Sequence, residues 1–299
     1  MLRTDGFRIK ERDGYCGGSV IGVARFEKSS SQISPQPRKS PLIDTLILAV
    51  VQGIAEFLPI SSSGHLVILG SALSHYQKTS PSASPTMEII LHAGTLGSIL
   101  LIFWKRILAL LSEDRRVIPL LIVGTVPAAV VGLVLKSQFE SVLKNPMLAG
   151  AMLLVTGVFL IILGRLSQGE KEYQGLSWLA AFLVGCFQAF AILPGISRSG
   201  STILGGRLLG LKTEDAVTFS FLLAIPAIAG ATVLELKDVV EHGAGAYPPM
   251  ELAIGAFVSF VVGIVALKWL IGWSRQERLH WFAGWCIPVG LITLAVLIF

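Results

Sequence analysis

The sequence predicts an all-α polytopic membrane protein with about six transmembrane helices and two re-entrant helical hairpins in a 3+3 inverted repeat. Hydrophobic residues make up 53% of the chain and charged residues 14%, whereas a soluble domain carries about 25% charged residues. The mean hydropathy is +0.72. The apolar residues fall into blocks of about 20, the length that a helix needs to cross a hydrocarbon core. Two of these blocks are broken halfway by proline, serine and glycine, and the two resemble each other.

The first 40 residues differ in kind from the rest of the chain. They lack the apolar core of a secretory signal, and acidic residues such as Asp5 and Glu11 argue against a transit peptide. We therefore expect residues 1–40 to be a disordered extension without chemistry, or the result of a start codon assigned too early. Residues 41–299 form one predicted membrane domain.

Uninterrupted apolar blocks predict the plain spans. Tryptophans such as Trp104, Trp273 and Trp281 stand at block ends, where an amphipathic ring suits the membrane interface. The predicted spans are 87–104, 117–135, 147–166, 216–234, 250–271 and 281–299.

Two further blocks, 42–70 and 176–206, are interrupted near Pro59 and Pro194. Neither half of either block is long enough to span. Because proline lacks a backbone donor and clashes with the preceding turn, each block is predicted to form two half-helices joined inside the membrane. Backbone freed at that depth must be buried in protein or line a wet cavity, so both tips are candidate binding sites.

The two broken blocks are related by an offset of 136 residues, the separation of Gln52 from Gln188. At this offset Ser61 meets Ser197 and Gly64 meets Gly200. Three predicted spans lie between the hairpins, so the two halves have opposite orientations and their tips can meet near the midplane. The predicted repeats are residues 41–170 and 171–299.

Loop charges predict the orientation, since cytoplasmic loops are enriched in lysine and arginine. One side carries four basic residues: Lys78, Lys136, Lys144 and Lys237. The side predicted to be cytoplasmic carries eleven: Lys105, Arg106, Arg115, Arg116, Arg165, Lys171, Arg207, Lys212, Lys268, Arg275 and Arg278. Basic residues dispersed in this way also exclude the continuous stripe of a nucleic-acid-binding protein, so no nucleic-acid partner is expected.

The first hairpin carries an acid, hydroxyls and an imidazole. Gln52 and Glu56 share a helix face that points at the break containing Ser61, Ser62 and Ser63, with His65 just beyond. A carboxylate inside a membrane is costly, about 2.5–3.5 kcal/mol on insertion scales, which favours a functional role. The alternatives are that Glu56 is a neutral packing residue and that His65 is a hydrogen-bonded core histidine.

The second hairpin carries a cation among hydroxyls at the start of a half-helix. Arginine grips phosphate oxygens with two donors, and a helix N-terminus adds free N–H groups. The alternative is that Arg198 only forms a structural bridge with Glu56. The predicted phosphate-binding residues of this hairpin are Ser197, Arg198, Ser199 and Thr202, and those of the first hairpin are Ser61 and Ser63.

Together these groups suit phosphoryl transfer, with either a serine or a water as the nucleophile. A single carboxylate with few other oxygen ligands fits magnesium, which shares phosphate oxygens with its substrate, and calcium is the other candidate. His92, Thr95 and Glu88 lie in a span and could support the site from behind or simply pack.

The strings QGIAEFLPISSSGHL at 52–66, LHAGT at 91–95 and LPGISRSGSTI at 193–203 resemble the undecaprenyl pyrophosphate phosphatase family of bacterial membrane proteins, the bacitracin-resistance type. The resemblance runs from about residue 42 to the C-terminus. It implies hydrolysis of a long-chain polyprenyl pyrophosphate to the monophosphate lipid carrier of cell-wall synthesis. It also implies a divalent cation and a bacterial plasma-membrane location, with a site reached from the external face. It leaves a homodimer open.

The resemblance also implies roles for individual residues. Gln52 and Glu56 occupy a Glu/Gln-x-x-x-Glu motif that holds metal or pyrophosphate, and Ser62 matches the nucleophile. His65 matches the general acid or base, and Arg198 matches the residue that grips phosphate. Here the first motif position is glutamine, which offers a metal a neutral carbonyl oxygen only.

A transporter is the main competing class, because inverted repeats with broken helices are typical of transporters. A lipid-phosphate flippase would use the same arginine and serines but would need no nucleophile or base. A purely structural protein would leave the intramembrane charges unexplained.

Overall fold

The computed structural model describes residues 42–77, 85–138, 140–242 and 248–298. The extension expected at residues 1–40 lies outside the described residues. Twelve α-helices are described, together with short 3-10 turns at Tyr173–Gly175 and Leu279–Phe282. The helices are α1 (Leu42–Ala55), α2 (Ser62–Gln77), α3 (Pro85–Ile102), α4 (Trp104–Leu111), α5 (Val117–Gln138), α6 (Glu140–Leu143), α7 (Pro146–Arg165), α8 (Trp178–Phe190), α9 (Arg198–Leu208), α10 (Thr213–His242), α11 (Pro249–Arg275) and α12 (Ala283–Ile298).

Five helical segments among the described residues are long and apolar enough to cross a membrane, and a sixth is counted when α3 and α4 are taken as one bent span. The five are Val117–Leu135, Pro146–Arg165, Thr213–Val233, Pro249–Arg275 and Leu279–Ile298. Their exposed faces are lined with large apolar side chains such as Val130, Phe257 and Ile292, as expected where lipid is the solvent. The all-α polytopic class is therefore confirmed.

One predicted span ends earlier than its hydropathy indicated. The span predicted at 87–104 stops at Ile102, and the chain bends by 72° into α4. The next turn carries Lys105 and Arg106 beside the exposed Trp104 and Leu108. A helix of this composition suits the membrane interface and cannot continue through hydrocarbon, which accounts for the bend.

The two broken blocks are interrupted at the positions that their prolines predicted. Helix α1 ends at Ala55 and α2 begins at Ser62, while α8 ends at Phe190 and α9 begins at Arg198. Helices α1 and α8 are apolar but shorter than a span. Each block therefore places an irregular segment of backbone between two half-helices.

Serine caps start the second half-helix of each hairpin in the same way. The backbone N–H of Gly64 donates to Ser61 Oγ at 3.3 Å, and that of Gly200 donates to Ser197 Oγ at 3.1 Å. Such caps satisfy an N–H group that has no partner inside the helix. The residues involved are equivalent at the repeat offset.

The tips of the two hairpins contact each other through backbone. A side-chain carbon added to Gly64 would lie 2.7 Å from the Cα of Gly195, so the glycine permits the close approach. Outside the tips, α1 packs on α11 and α8 packs on α5. An inverted repeat requires such paired contacts, and the repeat itself stays a prediction.

Gly195 is the most constrained glycine of the tips. Its φ is +97°, and an added Cβ would lie 2.2 Å from the carbonyl oxygen of Ala149. The Thr156 hydroxyl donates to the Gly195 carbonyl at 2.7 Å and accepts from the Ser197 N–H at 3.0 Å. Helix α7 thereby holds the second tip in place.

We expect Gly195→Ala to destabilise the protein by about 2 kcal/mol or more, because left-handed backbone and overpacking each cost about 1–3 kcal/mol. Thermal unfolding in detergent measures the change. Gly175→Ala is the matched control, since nothing lies within 4 Å of a Cβ at that position. Equal melting temperatures for the two variants would contradict the account of the tip.

The end of the domain opposite the cavity described below is held together by Arg207. This residue, counted above with the loop charges, is buried and donates to the carbonyls of Leu211, Leu166 and Ser167 at 2.9–3.3 Å. Nearby, Lys212 donates to Glu172 Oε1 at 2.9 Å, and this hydrogen bond lowers the pKa of Glu172. That pair is exposed and therefore adds little stability.

Candidate active site

The two hairpin breaks form the polar floor of a cavity of about 560 Å³. Its upper walls come from α3, α5 and α10 and are mostly apolar, with residues such as Ile89, Leu133 and Ile228. The volume is typical of a small-molecule site. Polar groups beneath apolar walls suit an amphiphile with a charged head and a hydrocarbon tail. The polar residues of the two hairpins that line the cavity are Glu56, Ser61, Ser62, Ser63, Gln188, Ser197 and Arg198.

The cavity occupies one half of the membrane domain. Its lining includes Glu88 near the start of α3, Gly132 toward the end of α5 and Thr232 beyond the middle of α10. Lys105 and Arg106 follow the opposite end of α3. The cavity thus lies in the half of the domain away from these two basic residues.

Glu56 is the centre of the polar network. It is buried, and its Oε2 accepts hydrogen bonds from Ser62 Oγ at 2.8 Å and from Gln52 Nε2 at 3.1 Å. Its Oε1 accepts from the guanidinium of Arg198. His92 Nε2 lies 3.6 Å from Oε2. Three donors on two oxygens hold this carboxylate in one orientation.

Local structure explains why these groups meet. Gln52 lies one turn before Glu56, whose N–H donates to the Gln52 carbonyl at 3.0 Å. Ser62 is the first residue of α2, and Arg198 is the first residue of α9. The two half-helices therefore present a hydroxyl and a guanidinium from their N-terminal ends to one carboxylate.

Arg198 forms the bridge to Glu56 that the sequence left as an alternative, but the bridge uses one half of its guanidinium. Nη2 donates to Glu56, while Nη1 is buried and has no hydrogen-bond partner in the described part of the chain. The residue lines the cavity. The arrangement leaves one guanidinium nitrogen to donate to an incoming anion.

His65 lies outside the cavity lining. Its Nδ1–H donates to the Ser61 carbonyl at 2.7 Å, and the indole N–H of Trp285 donates to its Nε2 at 2.9 Å. The two rings stack, with centroids 6.2 Å apart. With both ring nitrogens engaged, His65 is neutral and joins the first tip to α12. The structure does not bring it to Glu56.

His92 is the imidazole that the structure brings to Glu56. Its Nδ1–H donates to the Glu88 carbonyl at 2.8 Å, which turns Nε2 toward the carboxylate. Both His92 and Glu88 line the cavity. Their spacing of one helical turn inside an apolar span was the sequence signal. Thr95, the third residue of that group, is buried and donates to the His92 carbonyl at 2.9 Å.

Two of the predicted phosphate-binding residues support α9 instead of lining the cavity. The hydroxyl of Ser199 lies 3.3 Å from that of Ser197, within hydrogen-bonding distance. The Thr202 hydroxyl donates to the Arg198 carbonyl at 2.9 Å and also hydrogen-bonds with Ser220. Both are buried in the first turns of α9. Ser61, Ser63 and Ser197 do line the cavity.

A divalent cation that arrives with a phosphate ligand would be held by Glu56, which lines the cavity, and by Gln52, which is fully buried and does not line it. Among the described residues, no group of three His, Cys, Asp or Glu side chains could hold a metal alone. Gln52 Oε1, however, is a buried oxygen with no hydrogen-bond partner among those residues, and its amide nitrogen contacts Glu56. Magnesium accepts such a site, because it takes few protein oxygens and completes its shell with waters and phosphate.

Comparison with known proteins assigns the family. The model of the family described as "Bacitracin resistance protein BacA" matches residues 45–292. The chain belongs to this family. Curated relatives, which this chain matches over nearly their whole length, support the same assignment. The family resemblance predicted from the two hairpin motifs is therefore confirmed.

Three examples of these relatives, each named undecaprenyl-diphosphatase, show the extent of the similarity. The protein from Rhodopirellula baltica is 67% identical over 254 residues, which covers 85% of this chain and 97% of the relative. The protein from Carboxydothermus hydrogenoformans is 40% identical, covering 83% of this chain and 95% of the relative. The protein from Alkaliphilus metalliredigens is 37% identical, covering 83% and 96%.

The positions of the two histidines in this BacA family member lead to a prediction. We expect His92→Ala to lower kcat/KM about 10- to 100-fold, the size of one lost interaction with a charged group. We expect His65→Ala to lower it less, because that ring faces Trp285. Phosphate release by the two purified variants makes the comparison. The reverse order would support the acid or base role that the resemblance implies for His65.

Proposed function

We propose that this protein hydrolyses undecaprenyl pyrophosphate, and polyprenyl pyrophosphates of similar length, to the monophosphate lipid and inorganic phosphate. The observation that carries the proposal is the Ser62 hydroxyl 2.8 Å from Glu56, which in turn pairs with Arg198 on the floor of the cavity. The names of the curated relatives support the same activity. The product would return to cell-wall synthesis as lipid carrier, and its recycling would confer resistance to bacitracin.

Serine attack is the mechanism that this geometry supports best. Ser62 Oγ attacks the terminal phosphorus while its proton passes to Glu56 Oε2, as in general-base activation of a nucleophile. The bond from the terminal phosphorus to the bridging oxygen breaks, and the lipid monophosphate leaves. Water then attacks the phosphoserine and releases orthophosphate, and Ser62 Oγ recovers its proton from Glu56.

Arg198 and the start of α9 stabilise the charge that develops on phosphate oxygens. A guanidinium fixed before the reaction needs no reorganisation as charge builds, which is the main source of catalysis in phosphoryl transfer. Gln52 holds Glu56 through its amide N–H. Glu56 and Gln52 Oε1 are the groups that would hold a magnesium ion, and a bound metal would supply Lewis-acid stabilisation of the same charge.

Substrate access supports an orientation for the enzyme in the bacterial plasma membrane. The cavity lies in the half of the domain away from Lys105 and Arg106, and lysine and arginine favour the cytoplasmic side. The site would therefore open to the external face, with the apolar walls receiving the first isoprene units. Assembly as a homodimer stays a prediction.

A lipid flippase is less well supported. Binding and moving a lipid phosphate would use Arg198 and the small residues of the tips. It would not require a serine hydroxyl hydrogen-bonded to a buried carboxylate, which is an arrangement for activating a nucleophile.

The direct test is phosphate release from a long-chain polyprenyl pyrophosphate by the purified protein in detergent. We expect turnover by the wild type, strong loss on addition of EDTA and recovery with magnesium. Glu56→Gln, which keeps the size of the side chain but removes the base, should lose at least about 100-fold, the lower end of general-base effects. Lack of turnover by folded wild-type protein with magnesium would refute the proposal.

A further inference from the structure

Gln188 of α8 is a buried polar side chain whose amide is unpaired within the described residues. It is 3% exposed and lines the cavity. Neither its Nε2 nor its Oε1 has a hydrogen-bond partner within the described residues. A buried polar group without a hydrogen bond costs about 1–3 kcal/mol, so this amide destabilises the folded protein when no ligand is bound. Such a group is explained if a ligand satisfies it.

The equivalent residue of the first hairpin shows what is different about Gln188. Gln52 donates its amide N–H to Glu56, one turn later on the same face. The residue one turn after Gln188 is Ile192, which also lines the cavity. The second hairpin therefore keeps the glutamine but offers it no carboxylate. Its partner must come from outside the hairpin.

A second orphaned donor lines the same cavity. Arg198 Nη1 is buried without a partner among the described residues, while Nη2 donates to Glu56. The amide NH₂ group of Gln188 and the second terminal NH₂ group of the Arg198 guanidinium are donors that match anionic oxygens. The ligand that would satisfy both is therefore an anion with several acceptor oxygens.

We propose that Gln188 is a substrate-binding residue whose amide N–H₂ donates to a phosphate oxygen of the pyrophosphate held by Arg198. This inference rests on the proposed function and adds a binding residue outside both signature motifs. Since Gln188 lies on α8, the first half-helix of the second hairpin would contact the same headgroup that α9 binds.

Gln188→Met tests the proposal, because methionine has a similar length and no hydrogen-bonding amide. We expect KM for the polyprenyl pyrophosphate to rise about tenfold or more, as for one lost hydrogen bond to a charged group. Melting temperatures are measured in detergent with and without methylenediphosphonate, a pyrophosphate analogue that is not hydrolysed. The ligand-free variant should melt at or above the wild-type temperature, and the stabilisation by the analogue should shrink.

Gln188→Glu and Gln168→Met complete the experiment. Glutamate has the shape of glutamine but carries a negative charge, so Gln188→Glu should weaken binding of the analogue more than Gln188→Met does. Gln168 is exposed and donates to Glu277, so Gln168→Met makes the same chemical change away from the cavity and should alter neither KM nor the analogue response.

Two results would overturn the inference. One is an unchanged KM and analogue response in Gln188→Met, and the other is a ligand-free melting temperature well below that of the wild type, or failure to fold, which would show a structural role. Either result leaves turnover by the wild type intact. Conversely, absence of wild-type turnover would refute the phosphatase while the melting measurements still report on Gln188.

Discussion

Arg198→Ala should lower the rate of phosphate release about 1,000-fold or more, the range known for arginines that stabilise transferring phosphoryl groups. The change removes Nη2, which donates to Glu56, and Nη1, which has no partner among the described residues. It should also lower the melting temperature, because breaking a buried ion pair strands the other charge at a cost of about 3–5 kcal/mol. Phosphate release and thermal unfolding of the purified variant measure the two effects.

Two companion variants separate catalysis from stability. Arg198→Lys keeps the charge but not the two-pronged donor, so it should fold and still lose most activity. The double variant Glu56→Gln with Arg198→Ala removes both charges, so it should recover stability while remaining inactive. Near-normal turnover in any of the three would contradict the assignment of Arg198.

Ser62→Ala should abolish detectable turnover, because removing a covalent nucleophile typically costs about 10⁴-fold or more. Its hydroxyl is the donor nearest to Glu56 Oε2, at 2.8 Å. The variant should remain folded, since Gln52 and Arg198 still donate to the carboxylate. Phosphate release under single-turnover conditions measures the chemical step directly.

Ser112→Ala is the control for that variant. Ser112 is exposed and donates to carbonyl groups at the end of α4, so its loss should leave turnover unchanged. Substantial activity in Ser62→Ala would exclude serine as the nucleophile and identify an attacking water. Trapping of a phosphoserine at position 62 in the wild type would establish the opposite.

The helix breaks were predictable because proline chemistry is local. Pro59 and Pro194 end α1 and α8 wherever the tertiary structure places them, and the serines that follow are good caps for α2 and α9. Intramembrane charge is also a strong sequence signal, since burial must be compensated. These two rules predict from the sequence alone that Glu56, Ser62 and Arg198 belong to one site.

The directions of side chains beyond the first turn were not predictable in this way. His65 lies three residues after Ser62 yet is directed at Trp285, more than 200 positions away in sequence. Thr202 is likewise engaged by Ser220 of α10. Such contacts depend on how helices from the two halves pack, which periodicity does not specify. For the same reason, the sequence did not predict that Gln188 lines the cavity.

The bend after Ile102 shows a limit of hydropathy. Apolar residues continue to Phe103 and Trp104, so a window of about 20 residues extends the span to the tryptophan. The basic pair at Lys105 and Arg106 instead makes α4 an interfacial helix, at 72° to α3.

A structure with a non-hydrolysable methylenediphosphonate analogue of a polyprenyl pyrophosphate tests the central claim most directly, namely that both hairpin tips bind one phosphate headgroup. The account predicts the terminal phosphorus about 3.5 Å from Ser62 Oγ, the near-attack distance, with its oxygens on Arg198 and the lipid chain between α3, α5 and α10. A headgroup bound away from both tips, for example in the pocket beside Lys105, Arg106 and Arg275, would contradict it.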